Sequence, residues 1–205
     1  GGASVLGRQE SRRRGAPRAG RPRPRRNLMA TIAHVIVGLA AGRIYARRDE
    51  EVIPAMAAGC VISCWPDLDL IAVALGAEYG SALDHRSATH SLFSAVAVAA
   101  VVALVAFWRR IPVRRALAFA LVTGLSHGLL DILNFRSKVA LLWPFSTSYI
   151  GSPWQPIPAV ATLAELTTSR IFPVMLSELV IFSPLLIVIF WWPRIQRGRD
   201  RRLPD

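Results

Sequence analysis

From residue 29 onward the chain alternates apolar segments with short charged loops, and five segments have the composition of membrane helices. Ala30–Tyr45 and Val52–Trp65 lie near the lower length limit and are separated by the charged ARRDEE loop. Ser87–Trp108 runs for 22 residues without Asp, Glu, Lys or Arg. In Ala116–Leu133 the polar chemistry is Ser126, His127 and Asp131; in Ile171–Trp192 it is serine and Glu178, and the two terminal Trp suit a membrane interface. Five such runs leave too little polar surface to cover them in water. The pattern predicts an all-α, multi-pass transmembrane bundle of about five helices.

Composition sharpens this picture. The 205 residues are 53% hydrophobic, with mean hydropathy +0.38 and two Cys, which excludes a disordered chain and a disulfide scaffold. Cys60 and Cys64 stand in an apolar run, where free Cys is usually a small buried hydrophobe. The net charge of +12 suggests nucleic acid until it is mapped: residues 1–28 hold nine Arg and one Glu, and the other 177 residues carry only +4. That Gly-, Pro- and Arg-rich stretch has no apolar periodicity and is expected to be disordered. It is either a basic tail for anionic lipid or nucleic acid, or sequence upstream of a true start at Met29, the preferred reading. Residues 29–192 then form the membrane domain and 193–205 a basic cytoplasmic tail.

Orientation follows from the arginines. Arg109, Arg110, Arg114 and Arg115, and the tail RIQRGRDRR, belong in the cytoplasm, with Arg43, Arg47 and Arg48 as a third basic region. Five spans arranged in this way place the N-terminus outside.

Polar groups inside apolar segments carry the functional argument, because an acid at the centre of a membrane helix costs about 2.5–3.5 kcal/mol on insertion scales. All four His, at 34, 85, 90 and 127, lie in or beside apolar segments, and the chemistry concentrates in WPDLD, DHRSATHS and SHGLLD. His127 and Asp131 are four apart and share a helical face, able to reach one ion or to satisfy each other. Asp67 and Asp69, behind Pro66, fit a helix end or turn, either converging on a cation or standing solvated. His34 is alone in its segment. In the five-span order His34, WPDLD, His90, His127, Asp131 and Glu178 fall at one membrane face, where mixed N and O donors suit a divalent Zn, Mn, Fe or Mg.

The lead MATIAH, then PDLD, DHRSATHS, LVTGLSHGLLDIL and LLWPF resemble the YdjM-like family of inner-membrane proteins, described as metal-dependent hydrolases. The likeness runs from Met29 to about Phe145, with a weaker echo at Glu178. The family patterns are a His shortly after the initiator Met, PDxD, HRGxTHS and SHxxxD. They fall on His34, Asp67, Asp69, His85, Arg86, Thr89, His90, Ser91, His127 and Asp131. Ser87 and Ala88 depart from the pattern at the turn.

The combined expectation is an inner-membrane hydrolase with its site at the extracytoplasmic face, a metal-activated water attacking a phosphoester or similar bond of an amphiphilic, lipid-linked or phosphorylated substrate. His34, Asp67, Asp69, His90, His127 and Asp131 would hold metal. His85, with Glu178 as an extra ligand or base, would move protons. Arg86 would pair with an anionic group, and Thr89 and Ser91 would contact substrate or support the site, or cap the third helix. The partners expected are the bilayer lipid and this substrate; nucleic acid is not expected. Histidine-nucleophile lipid phosphatase chemistry is set aside, since Lys138 is the only Lys and no PSGH occurs. The rivals are a metal-ion carrier or sensor without hydrolytic activity, and a membrane scaffold with a nucleic-acid-binding arm.

Overall fold

The computed structural model describes residues 32–78, 80–159, 168–169 and 171–200, with side chains through Trp191. The N-terminal stretch 1–28, the start at Met29 and the side chains of the basic tail lie outside the described residues. The order is α1 (Ile32–Tyr45), α2 (Asp49–Cys64), a 3-10 turn (Trp65–Leu68), α3 (Asp69–Ala74), a second 3-10 turn (Ala88–His90), α4 (Leu92–Trp108), α5 (Val113–Asp131) and α6 (Ile171–Asp200). Five of these helices are long. Among the described residues there is no strand; two isolated bridges, Asn134 to Ile157 and Val139 to Ile150, brace the loop after α5.

Three boundaries differ from the pattern-based expectation. The second segment does not stop at Trp65: helical structure continues to Ala74, giving a 26-residue stretch from Asp49, because Pro66 sits at the start of a 3-10 turn where no N–H is needed. The third helix starts at Leu92 rather than Ser87, since the Ser91 hydroxyl accepts from Ser94 N at 3.1 Å and caps it. The last helix passes Trp192 without a break. Asp49–Ala74 and Ile171–Trp191 are each long and apolar enough to cross a membrane, while α1 and α4 are shorter apolar helices.

Packing centres on α1 and α5. Helix α1 lies against α2, α5 and α6, and α5 against α4, α2 and α1. The α1–α2 pair is in backbone contact: a Cβ on Gly59 would stand 2.1 Å from Gly38 O, and one on Gly38 2.6 Å from Gly59 O. Only glycine permits this approach. The buried apolar residues of the helices are mostly small, such as Ala33, Ala40, Ala99 and Ala120, while Ile53, Val61, Phe107, Val122, Phe172 and Phe190 point outward. Large apolar side chains outside, with small and polar ones inside, suit a hydrocarbon surrounding and not water.

Cys60 and Cys64 are free thiols, half-buried rather than enclosed; Cys60 Sγ donates to Val35 O at 3.7 Å.

Candidate metal centre

Because successive helices reverse direction, the start of α1, the end of α2, the start of α4 and the end of α5 share one end of the bundle. Asp67 enters on the turn after α2, His90 on the turn before α4, and His127 and Asp131 on the last turns of α5. Four donor atoms form a closed ring. His90 Nε2 is 3.6 Å from Asp67 Oδ1 and 3.2 Å from Asp131 Oδ2; His127 Nε2 is 3.6 Å from the same Asp67 oxygen and 3.9 Å from the same Asp131 oxygen. Ligands at 2.0–2.1 Å in a tetrahedron stand about 3.3 Å from one another. Each of these four contacts is therefore close to the spacing of neighbouring ligands around such an ion.

Imidazole orientation supports this reading. His127 Nδ1 donates to Ser63 O at 2.6 Å, a carbonyl at the end of α2 where the helix offers no partner of its own. A carbonyl can only accept, so the neutral His127 ring keeps its proton on Nδ1 and turns a lone pair on Nε2 toward the ring. His90 Nδ1 lies 3.0 Å from Thr89 Oγ1, whose hydroxyl donates to Asp69 Oδ2 at 2.7 Å. That chain again leaves Nε2 facing inward. The Nε2 atoms of His34 and His127 are buried without a hydrogen bond, and that of His90 faces only the carboxylates of Asp67 and Asp131 across the ring. Such groups are costly unless something is bound between them.

His34 is fully buried beside the ring, its Nε2 3.7 Å from Asp131 Oδ1. Two trios bring donors within 4.8 Å of one another, His34 with His127 and Asp131, and Asp67 with His85 and His90. Asp67, 19% exposed, is the ring's outward side, and Asp131 is 2% exposed.

Asp69, also expected among the ligands, stands beside the ring, against the outer nitrogen of His90. One of its oxygens lies 2.8 Å from His85 Nδ1; the other accepts from Arg86 N at 3.2 Å and from Thr89, and is 3.1 Å from His90 Nδ1. It orients the two histidines. His85 is buried with Nδ1 on Asp69, and its ring meets that of His90 edge-on at 5.1 Å. Arg86 Nε donates to Asp131 Oδ2 at 3.2 Å, while its buried Nη2 has no hydrogen-bond partner. The backbone at Arg86 is left-handed, φ 68°, and its carbonyl accepts from Ala140 N at 2.9 Å. Ser91 caps α4 and donates to Ala88 O at 2.7 Å, so its hydroxyl serves the backbone. Glu178 Oε2 accepts from Ala33 N at 3.1 Å, satisfying a free N–H in the first turn of α1 next to His34.

His90 lies in the loop between segments. Burial disfavours its charge, but the carboxylates of Asp131, Asp67 and Asp69 outweigh that effect and raise its pKa well above the ordinary value.

Several supports escaped the pattern. Asn134 Nδ2 donates to Asp131 Oδ1 at 3.0 Å, and Ser63 acts through its carbonyl, which no side-chain pattern can signal. Gly128 lets α5 approach His90: a Cβ there would stand 2.8 Å from His90 O. Its place inside SHGLLD was the available clue. The loop after α5 also ties the site together, with Leu92 N donating to Leu141 O at 2.9 Å.

Residues 29–197 match the family model described as YdjM inner membrane protein. Over 152 residues the chain is 36% identical to inner membrane protein YbcI of Escherichia coli (strain K12), covering 70% of this chain and 88% of that one. No solved structure matches. With its motif positions gathered at one end of a helical bundle, the chain belongs to the YdjM family of inner membrane proteins.

Proposed function

We propose that the protein is a multi-pass, metal-dependent hydrolase of the inner membrane, acting at the extracytoplasmic face on a phosphoester or similar bond of an amphiphilic substrate. The observation that carries this reading is the closed ring of four donors with Nε2 of His90 and of His127 turned into it. His90, His127, Asp67 and Asp131 would hold a divalent Zn, Mn, Fe or Mg, with His34 alongside. The ion would supply a water of lowered pKa and a polarised scissile bond.

The remaining groups have separable tasks. Asp69 and Thr89 fix the orientation of His90, and Asp69 holds His85 by Nδ1, leaving the other ring nitrogen to accept or return a proton. The unpartnered Arg86 Nη2 offers a donor to an anionic oxygen, which favours a phosphoryl group over a neutral ester. Water and substrate enter on the Asp67 side. The basic clusters lie at the opposite end, which supports placing that end in the cytoplasm and the centre outside.

The test is metal analysis of the purified full chain together with hydrolysis of amphiphilic phosphoester, ester and amide panels. We expect stoichiometric divalent metal and turnover of phosphoesters, both lost in His127→Ala/Asp131→Ala. Arg86→Lys should raise KM for anionic substrates about tenfold or more while metal is kept. Undiminished metal in the double variant would defeat the site. Metal without turnover on any panel, and ion flux into proteoliposomes, would replace hydrolysis with carriage.

A further inference from the structure

At the end of the bundle away from the histidines, an open cleft of about 580 Å³ is lined by residues of α1, α2, α4 and α5 and the α4–α5 turn. Arg48, Arg109, Arg110 and Arg115 line its polar part; Ala58 on α2 and Val102 and Val105 on α4 line its apolar part. Val105 and Val102 precede Arg109 on α4 by about one and two turns, so a basic rim passes directly into an apolar wall.

The positive charge there is only partly countered. Glu50 and Glu51 also line the cleft, and both are taken by Arg48, at 3.2 Å and 3.0 Å. Arg115 Nη2 donates to the Tyr45 carbonyl at 2.5 Å and its guanidinium lies 4.7 Å over the Tyr45 ring; both partners are neutral. Among the described residues no ion pair is formed by Arg109, Arg110 or Arg115. Arg110 is also held in the left-handed region, φ 56°, with Ile111 N donating to Ala106 O at 2.9 Å. Glycine is the ordinary residue at such a helix end, and this chain has arginine.

We propose that the cleft binds one anionic phospholipid, its phosphate held by Arg109, Arg110 and Arg115 and an acyl chain lying along Val102, Val105 and Ala58. Guanidinium groups match phosphate oxygens bidentately, and basic pockets between membrane helices recognise anionic headgroups. The volume lies within the range of small-molecule sites. A free phosphate would satisfy the rim but leave the apolar wall uncovered. The site is separate from the proposed metal centre and does not depend on it.

The test is native mass spectrometry of the detergent-solubilised full chain titrated with phosphatidylglycerol, phosphatidylcholine or inorganic phosphate. One phosphatidylglycerol should bind about tenfold or more tighter than phosphatidylcholine. Arg109→Gln/Arg110→Gln and Ala58→Trp, which narrows the apolar wall, should each weaken it about tenfold. Arg197→Gln/Arg199→Gln in the tail should leave it unchanged, and monodisperse elution would show that each variant is folded. Equal binding of the two lipids, an equal loss in the tail variant, or full displacement by inorganic phosphate with Ala58→Trp neutral would each overturn the proposal.

Discussion

The imidazole of His34 lies parallel to that of His127, ring centroids 3.8 Å apart with 18° between the planes. The stack joins the start of α1 to the end of α5 and sets two nitrogen donors beside Asp131. The two rings are not equivalent. His127 Nε2 meets both Asp67 and Asp131 within the four-donor ring, whereas His34 Nε2 stands beside the ring, 3.7 Å from Asp131 Oδ1.

Loss of metal should follow that difference. His127→Ala and Asp131→Ala are expected to weaken metal binding about 100-fold or more, and His34→Ala about tenfold. Chelator competition followed by elemental analysis measures this. Equal losses in all three variants would mean that His34 is a full member of the ring.

Asp69→Asn tests orientation apart from ligation. With His85 and His90 less firmly held, affinity should fall about 10- to 100-fold while one ion per chain still binds at saturating metal. Loss of the ion even at saturation would return Asp69 to the ligands.

Protons and metal compete for the same nitrogens. Burial opposes a charge on His90, but the carboxylates of Asp131, Asp67 and Asp69 raise its pKa above the ordinary imidazole value, so protons compete with metal there more strongly than at a free imidazole. Affinity should therefore rise with pH by about tenfold per unit while one proton is displaced. Calorimetry in buffers of different ionisation enthalpy should show that proton being released; no release would mean that His90 is not a ligand.

Gly59→Val should separate α1 from α2, because even a Cβ meets Gly38 O. The expected cost is about 2–4 kcal/mol, seen as a lower unfolding temperature in detergent. Ala57→Val, two residues away on an exposed position, should have little effect.

The helices and their shared end were legible because hydropathy and alternation of direction depend only on spacing along the chain. His34, Asp67, His90, His127 and Asp131 could be grouped in this way without coordinates. Asp69 could not be told from Asp67, since the distinction lies in which neighbours each carboxylate faces. The extension to Ala74 was hidden by Pro66, which ordinarily stops a helix but here begins a 3-10 turn. The loop after α5 has no period to read: its order comes from backbone bonds such as Phe135 N to Ile157 O, 2.8 Å, between residues far apart in sequence.

The outward placing of large apolar side chains has a consequence for inherited variation. Exchanges among Ile, Val, Leu and Phe at perimeter positions such as Val122 should pass unnoticed, whereas a single added methylene at Ala99 or Ala120, both 0% exposed, should disturb the helix contacts. The interior would then tolerate least, as in a protein dissolved in water, but the perimeter would accept large apolar side chains and reject charged ones, the reverse of a surface that faces water.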